Sequence, residues 1–279
     1  GGSGSGRPGQ YGVPKTSLED GMKQAGFDVN ERLLSFYSTK SAEVKPTDIP
    51  DSIAYTYDTY SDAALVVVSR SGSEGRDEVT YGYAQDENAD PNAHMLELTD
   101  TEKDLIRYVE GEISPKVILI VNSSNAMELA EVNAPKTEDN LGVDAILWVG
   151  HTGNDGAAAI GNILSGKVSP SGRTADTYAV DFTKDPTFTN FGSNGQNFEN
   201  GERMNNNVYV GDTMTDYHSV EYREGIYVGY RYYETKGHDA GEAWYDENVV
   251  YPFGYGLSYT TFTQEIEGGH CADWCDSCG

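Results

Sequence analysis

The segment AALVVVSRSGSEGRD, residues 63–77, decides the fold. Its first six residues are apolar, and such a short apolar run bounded by a polar loop predicts a buried strand over 63–68. The loop that follows, 69–77, carries Glu74 directly beyond the strand. Open α/β sheets bind their ligands beyond the carboxyl ends of the strands. The segment therefore predicts an α/β sheet and, at the same place, a candidate chemical site.

Glycines lie close to Glu74 on both sides. Gly72 and Gly75 allow the backbone to turn sharply and to approach a ligand. Arg70 and Arg76 are near enough in sequence to hold the carboxylate in place or to tune its ionisation. The alternative is a solvated loop whose charges compensate one another. The residues alone leave both interpretations open.

Strand and helix signals alternate along the rest of the chain. Apolar runs predict further strands over 117–121 and 143–149. Three helical signals begin at residues suited to capping, which are Ser17, Asn30 and the capping-box pair Thr99 and Glu102. A Gly-rich turn opens a fourth helical signal, of small residues, from about Asp155. Continuous apolar strands connected by helices predict an α/β fold, with a mainly parallel sheet flanked by helices on both faces.

Two later stretches are expected to depart from this alternation. The stretch 191–218 is rich in Asn and Gly without a sustained period, which predicts an irregular insertion on the surface. In the stretch 224–234, every second residue from Ile226 to Tyr232 is aliphatic or aromatic, and this period of two predicts a further strand. Four aromatic residues could stack on sugar rings, although core positions are the more usual use of such residues and are expected here: Trp148, Tyr227, Tyr230 and Trp244.

The composition bounds the range of functions. The chain has 279 residues, of which 37% are hydrophobic and 11% aromatic, which suits one large folded domain. Its formal net charge is −26. A nucleic-acid partner requires a basic face that displaces counterions, so nucleic acid is not an expected partner. No apolar run approaches the length of a bilayer span, so no membrane span is expected in this segment.

Two patterns bear on cofactors and metals. Gly150, Gly153 and Gly156 follow a predicted strand, but the dinucleotide fingerprint needs Gly-x-Gly-x-x-Gly spacing. Small residues here suit a helix that lies close on the sheet, and no cofactor is expected. All three cysteines lie within 271–278, next to His270. Structural zinc sites usually combine two spaced ligand pairs, so this single cluster is expected to hold no metal.

Three sequence blocks carry a family resemblance. They are VDAILWVGHTGNDGAAAIGNILSGKVSPSGRTADTY at 143–178, YREGIYVGYRYYE at 222–234 and YPFGYGLSYTTF at 251–262. In this order, and after the strand and loop of 63–77, they resemble the second domain of glycoside hydrolase family 3. That family contains many β-glucosidases and some β-xylosidases. The resemblance covers residues 1–263 and leaves 264–279 as an unassigned tail.

The resemblance implies a retaining glycosidase in which an α/β barrel precedes the α/β sandwich and a fibronectin-like domain often follows it. The barrel of the family supplies the aspartate nucleophile and most contacts to the sugar, and this chain resembles the sandwich alone. We therefore expect part of a β-glucosidase that hydrolyses terminal β-D-glucosyl residues of oligosaccharides. Its partners would be that substrate and an N-terminal barrel domain, and the isolated chain would be inactive or nearly so.

The family's acid/base loop reads Ser-Gly-Glu-Gly-x-Asp, and this sequence has GSEGRD at 72–77, with the first two residues inverted. The resemblance thus assigns the acid/base role to Glu74. It leaves Arg70, Arg76 and Asp77 as residues that orient Glu74 or reach a bound sugar. Two other interpretations remain, which are a carbohydrate-binding module without catalysis and a purely structural domain.

Overall fold

The computed structural model describes residues 14–40, 44–70, 93–137, 140–190, 206–210, 213–217 and 222–263, together with residue 265. The helices are α1 Leu18–Ala25, α2 Glu31–Ser38, α3 Asp51–Ala54, α4 Asp100–Tyr108, α5 Ala130–Asn133, α6 Ala157–Leu164, α7 Pro186–Asn190, α8 Tyr230–Ala240 and α9 Glu242–Asn248. The strands are β1 Ala64–Ser69, β2 Val117–Asn122, β3 Ala145–Trp148, β4 Tyr178–Ala179, β5 Asn206–Val210, β6 Thr213–Tyr217 and β7 Val249–Tyr251. Among these helices, none is long and apolar enough to span a bilayer.

A parallel sheet of three strands, in the order β1-β2-β3, forms the centre of the described fold. The pairing of β1 with β2 ends with Ser69 opposite Asn122, and that of β2 with β3 ends with Val121 opposite Trp148. Because the strands are parallel, their carboxyl ends reach the same edge of the sheet. All three strands coincide, within two residues at each end, with the apolar runs that predicted them.

The central strand β2 is buried on both faces. Leu119 and Val121 are fully buried in the main core, and Ile120, which points to the opposite face, is also buried. The main core joins β1 and β2 to α4 and to the segments around α5, through Val66, Val68, Leu98, Ile106, Val109, Val117, Leu119, Val121, Met127, Leu129, Val132, Leu141 and Tyr178. A strand covered on both faces has the near-continuous apolar sequence seen in β2.

The predicted helix starts are confirmed. The Ser17 hydroxyl accepts the N–H of Asp20, and the Asp20 carboxylate accepts the N–H of Ser17. Thr99 and Glu102 form the same pair of hydrogen bonds at the start of α4. Asn30 caps α2 by accepting a backbone N–H of its first turn. Each cap stabilises its helix by about 1 kcal/mol, so local sequence determines where these three helices begin.

Helices α1 and α6 touch backbone to backbone. A Cβ on Gly21 would stand 2.3 Å from the carbonyl oxygen of Ala157, and one on Gly161 would stand 2.3 Å from the carbonyl oxygen of Gly21. Lys167, just beyond α6, donates from Nζ to the carbonyl oxygen of Ala25 at 2.8 Å. The small residues of α6, expected to let it lie close on the sheet, thus serve its contact with α1.

The prediction of a strand over 224–234 is wrong. Helix α8 begins directly after Gly229, whose φ of 57° lies in the left-handed region that favours glycine. Tyr233 and Gly237, four residues apart, are the buried residues of this helix. A Cβ on Gly237 would stand 2.5 Å from the ring of Tyr245 in α9. Packing against α9 therefore imposes a helical period on a sequence whose aromatic residues favour a strand.

The expectation of an irregular insertion over 191–218 needs correction in part. Within it, β5 and β6 pair antiparallel, with Asn206 opposite Tyr217 and Val210 opposite Thr213. The paired residues are mostly polar, so the hairpin has no apolar alternation from which it could be predicted. The other residues of 191–218 lie outside the described ranges.

Strands β4 and β7 form a small antiparallel sheet with Tyr178 opposite Tyr251. The two rings meet edge to face with their centroids 5.9 Å apart. Burial raises the pKa of each phenol to about 12, because the ionised form would lose its hydration. This pair connects the third sequence block, 251–262, to the main core through Tyr178.

Replacing Gly161 by Ala should destabilise the fold. The new Cβ would overlap a backbone carbonyl oxygen of α1, which cannot move aside as the end of a side chain can. Overpacking of this kind costs about 1 to 3 kcal/mol, against a gain of roughly 0.5 to 1 kcal/mol for Ala over Gly in a helix. Urea unfolding should show a lower midpoint. Gly111→Ala is the control, since a Cβ there meets nothing within 4 Å, and equal midpoint shifts would contradict the prediction.

The free energy of unfolding should fall as the pH rises from about 10 to about 12. An unfolded tyrosine ionises near pH ~10, whereas the folded pKa of Tyr178 and of Tyr251 is about 12, so unfolding releases protons in this range. Tyr178→Phe should weaken the dependence, and Tyr222→Phe, at an exposed residue, should leave it intact. Denaturant midpoints across this range test the prediction, and equal slopes in wild type and Tyr178→Phe would refute it.

Candidate functional site

The carboxyl edge of the sheet gathers the segments that follow its three strands. The N–H of Arg70, just after β1, donates to the carbonyl oxygen of Asn122 at the end of β2, at 3.2 Å. The indole Nε1 of Trp148, at the end of β3, donates to the carbonyl oxygen of Ser123 at 2.8 Å. The segments that follow the three strands are therefore hydrogen-bonded to one another at this edge. Ligand sites of α/β sheets lie at the same edge.

Three of the four predicted site residues, Glu74, Arg76 and Asp77, lie outside the described residues. The structure shows instead the residues on either side of the segment that carries them. This segment, 71–92, follows Arg70, and the described chain resumes at residue 93. The acid/base role of Glu74 and the roles of Arg76 and Asp77 stay predictions.

Arg70 is buried, with 3% of its surface exposed. Its Nη1 and Nη2 donate to Oε1 and Oε2 of Glu102, both at 2.8 Å, in a bidentate ion pair. Nη1 also donates to the carbonyl oxygen of Ser69, Nε to that of Met95 and Nη2 to that of Glu97. Bidentate charge-assisted hydrogen bonds are among the strongest in proteins. One side chain thus joins the end of β1, the turn before α4 and the first turn of α4.

The contacts of Arg70 use all five N–H donors of its guanidinium. A hydroxyl of a bound sugar would have to displace one acceptor and leave it buried without a donor. Leaving a buried polar group unpaired costs about 1 to 3 kcal/mol. These contacts make Arg70 a link within the domain, and its expected roles, to orient Glu74 or to reach a bound sugar, stay predictions.

A second buried residue holds the chain just beyond the segment 71–92. His94 is 2% exposed, and its Nε2 lies 3.2 Å from Oε1 of Glu97 and 3.1 Å from Oε1 of Glu128. The N–H of Glu128 donates to the carbonyl oxygen of Leu96 at 2.8 Å, and its Oε1 accepts the N–H of Phe182. These contacts tie residues 94–97 to the segment after β2 and to the turn after β4.

The ligand atoms of His94, Glu97 and Glu128 lie within 4.8 Å of one another, close enough to share a metal ion. The N–H of Leu96, however, donates to Nδ1 of His94 at 3.3 Å, so the proton of a neutral ring lies on Nε2. A metal would need the lone pair of that same Nε2. The cluster is therefore a hydrogen-bonded bridge. The sequence carries no signal for it, because Glu128 has no motif spacing to the other two.

The expectation of core positions is wrong for three of the four aromatic residues. Trp148 is 44% exposed, Tyr227 46% and Tyr230 41%. Trp244 is partly buried and packs against the small core around Tyr233. Trp148 is the member of this set that ends a strand of the parallel sheet, so its exposed ring lies at the candidate site.

A surface cleft of about 800 Å³ is a weaker candidate. Its lining includes Lys23 and Asn30 near the first two helices, and Thr59 and Tyr60, which precede β1. Because these last two residues come before the strand begins, the cleft lies towards the amino edge of the sheet. Ligand sites of open α/β sheets lie at the opposite, carboxyl edge.

The sequence of this chain is similar to those of known proteins. Residues 1–230 match the family described as glycosyl hydrolase family 3 C-terminal domain. The chain is 30% identical over 283 residues to a beta-glucosidase of Ruminococcus albus. The alignment covers 95% of this chain and 25% of that protein. It is 37% identical over 117 residues to an exo-alpha-(1->6)-L-arabinopyranosidase of Bifidobacterium breve, and this alignment covers 42% of this chain and 11% of that protein.

The fold is similar to that of a solved enzyme. Beta-glucosidase 3B from Thermotoga neapolitana, in complex with glycerol, matches with a TM-score of 0.65 and 27% identity, over 94% of this chain and 32% of that chain. The chain thus spans about a quarter to a third of the length of these beta-glucosidases. The predicted α/β class, with its parallel sheet and flanking helices, is confirmed. By sequence and by fold, the chain belongs to glycoside hydrolase family 3 and carries the C-terminal domain of that family.

Proposed function

We propose that this chain is part of a retaining β-glucosidase and supplies the general acid/base, Glu74, to an active site completed by a barrel domain. Family membership and the similarity to the beta-glucosidases of Ruminococcus albus and Thermotoga neapolitana support this activity. Because the chain spans only part of those proteins, we place the nucleophile and most sugar contacts in the remaining part.

The observation that carries the proposal is that Arg70 links the residues on either side of the segment 71–92, which carries Glu74. Arg70 binds the end of β1 through the carbonyl oxygen of Ser69, and it binds the chain beyond the segment through Met95 and Glu97. A general acid must come within hydrogen-bond reach of the oxygen that it protonates. Because one buried side chain holds the residues on either side of the segment, the chain enters and leaves it at fixed places, which supports a defined position for Glu74.

The proposed chemistry needs two carboxyl groups about 5 to 5.5 Å apart. A carboxylate of the barrel attacks the anomeric carbon while the bond to the leaving oxygen breaks, and Glu74 gives its proton to that oxygen. In the second step, the Glu74 carboxylate takes a proton from water as the water oxygen attacks the anomeric carbon. The bond to the barrel carboxylate then breaks, and both groups return to their starting states.

Glu74 must be protonated when the substrate binds. Packing of its segment against a barrel would remove water from the carboxyl group, and a nearby anionic nucleophile would oppose a second negative charge. Both effects favour the protonated form. When the glycosyl-enzyme forms, the nucleophile loses its charge, so Glu74 can ionise and act as the base. Neither effect is present in the isolated chain.

We assign terminal β-D-glucosyl residues as the substrate of the complete protein, on the similarity to the two beta-glucosidases. The arabinopyranosidase of Bifidobacterium breve is similar over part of this domain, although its name specifies a different sugar. This similarity supports the placement of sugar specificity outside the domain. The domain would then contribute proton transfer, which is common to the hydrolysis of all these glycosides.

In a protein that contains this chain and its barrel, Glu74→Ala should lower kcat/KM for phenyl β-D-glucoside by about 10²- to 10⁴-fold, the usual contribution of general acid catalysis. Phenol leaves poorly without a proton. The kcat/KM for dinitrophenyl β-D-glucoside, whose leaving group needs no proton, should stay close to that of the wild type. Steady-state kinetics with both substrates provide the measurement.

Glu78→Ala is the matched control, because it removes a second glutamate from the same segment. It should leave both rate constants unchanged. Azide provides an independent check, since it attacks the glycosyl-enzyme without a base and should yield glucosyl azide in Glu74→Ala only. Equal losses for both substrates, or no loss, would show that Glu74 is not the proton donor. Sugar binding by the chain without any such effect would favour the carbohydrate-binding alternative.

The isolated chain should not hydrolyse aryl β-D-glucosides, because the proposed nucleophile belongs to the barrel. The assay is release of dinitrophenol at high protein concentration, with the Glu74→Ala chain as the blank. Hydrolysis by the wild-type chain above that blank would contradict the proposed division of the active site between two domains.

A further inference from the structure

The cleft towards the amino edge of the sheet has the size of a ligand site. Its described lining includes Asn30 at the start of α2, and Tyr55, Thr59 and Tyr60, which precede β1. Its volume of about 800 Å³ falls within the range of roughly 300 to 1,000 Å³ that is usual for small-molecule pockets. The candidate active site lies at the opposite, carboxyl edge. A ligand in this cleft would therefore occupy a separate site.

One side chain holds the two walls of the cleft together. Nδ2 of Asn30 donates to Oγ1 of Thr56 at 2.7 Å, while its Oδ1 accepts the N–H of Leu33, in the first turn of α2, at 3.2 Å. Thr56 is buried, and its hydroxyl donates to the carbonyl oxygen of Ile53 at 2.7 Å. The wall formed by the start of α2 and the wall formed by the residues before β1 are thus fixed to each other. The cleft is preformed, as small-molecule sites usually are.

The cleft presents an exposed aromatic ring. Tyr55 lines the cleft and is 62% exposed, although an aromatic side chain gains free energy by burial. Arg32 contacts this residue twice, because Nη1 donates to the phenol oxygen and the guanidinium carbon lies 5.4 Å from the ring centroid. These contacts restrict the orientation of the ring without covering it. A ring held in this way is ready to pack against the apolar face of a ligand.

The charges in the lining of the cleft cancel. Among its described residues, Lys23 and Arg32 are cationic, and Asp28 and Glu31 are anionic. Lys23 forms an ion pair with Glu31, so neither of these two groups is left to recognise a charged ligand alone. An anion would be opposed by the net charge of the chain, −26, and a cation by the two cationic groups in the lining. The cleft therefore suits an uncharged ligand that uses both hydrogen-bond donors and acceptors.

We propose that this cleft is a second carbohydrate site of the protein, which binds an uncharged oligosaccharide away from the active site. The ring of Tyr55 packs against the apolar face of one sugar unit. The hydroxyls of the sugar, each of which can donate and accept, pair with the cationic donors and the carboxylate acceptors of the lining. Such a site holds the oligosaccharide on the protein and raises its concentration near the active site. Only the choice of glucose units for the test rests on the proposed function.

The test is calorimetric titration of cellotriose into the full chain. The wild type should bind cellotriose, and Tyr55→Ala should bind it at least about 10-fold more weakly, since truncation of a central aromatic anchor typically has an effect of this size. Tyr55→Phe keeps the ring but loses the hydroxyl that Arg32 binds, so its loss should be smaller. Tyr222→Ala is the matched control and should bind as the wild type does, because Tyr222 is 74% exposed and lies outside the described lining of the cleft.

Activity provides a second readout, in the protein that contains this chain and its barrel. Phenyl β-D-glucoside is small and occupies only the active site, so Tyr55→Ala should leave its kcat/KM unchanged. The KM for cellotriose should rise, because the second site no longer holds this substrate. Urea unfolding of Tyr55→Ala should show the wild-type midpoint, since the replaced side chain is exposed.

Four results would overturn the inference: no binding of cellotriose by the wild type, equal binding by Tyr55→Ala, an equal loss in Tyr222→Ala, or displacement of cellotriose by inorganic phosphate. Weaker binding in Tyr55→Ala, with an unchanged rate for phenyl β-D-glucoside, supports it. The comparison with Glu74→Ala separates the two claims. If Glu74→Ala shows its selective loss and Tyr55→Ala binds as the wild type does, the inference about the cleft fails alone. If Tyr55→Ala weakens binding and Glu74→Ala shows no selective loss, the proposed function fails and the second site remains.

Discussion

The parallel pairing of β2 with a strand on each side is the constraint on which the rest of the structure depends. Because β2 is covered on both faces, its side chains must be apolar almost throughout, and the strands beside it are fixed in register. Parallel strands all end at the same edge. The segments that follow the three strands therefore leave the sheet close together. Their backbone N–H and C=O groups, which are no longer paired within the sheet, need other hydrogen-bond partners there.

Buried polar side chains supply such hydrogen bonds at the carboxyl edge. Arg70 satisfies three carbonyl oxygens and a carboxylate, and His94 joins two glutamates from separate segments. Burying a charge costs free energy unless its partners are complete, and those of Arg70 are complete. Such groups add little net stability compared with an apolar core. What they contribute is a single geometry for segments that have no regular backbone hydrogen bonds of their own.

Local chemistry explains which parts of the fold the sequence predicts. The capping residues Ser17 and Thr99 act within one turn, and continuous apolar runs are typical of buried strands, so these helix starts and the three strands of the parallel sheet were predictable. The helix after Gly229 was not, because its period comes from contact with α9 rather than from its own residues. Arg70 could be named from its place beside the acidic loop, but its partners could not. The link from His94 to Glu128 joins segments that only the fold brings together.

The contact between α1 and α6 has a consequence for the order in which the chain acquires structure. Lys167 reaches back to Ala25 across 142 positions, and the glycine contact of the two helices spans a similar interval. During synthesis α1 leaves the ribosome long before α6 exists, and a helix of eight residues is too short to be stable in water by itself. We therefore expect α1, the first helix of the described chain, to stay unfolded until α6 has been synthesised. Its docking closes a long loop, so it belongs among the late steps of folding.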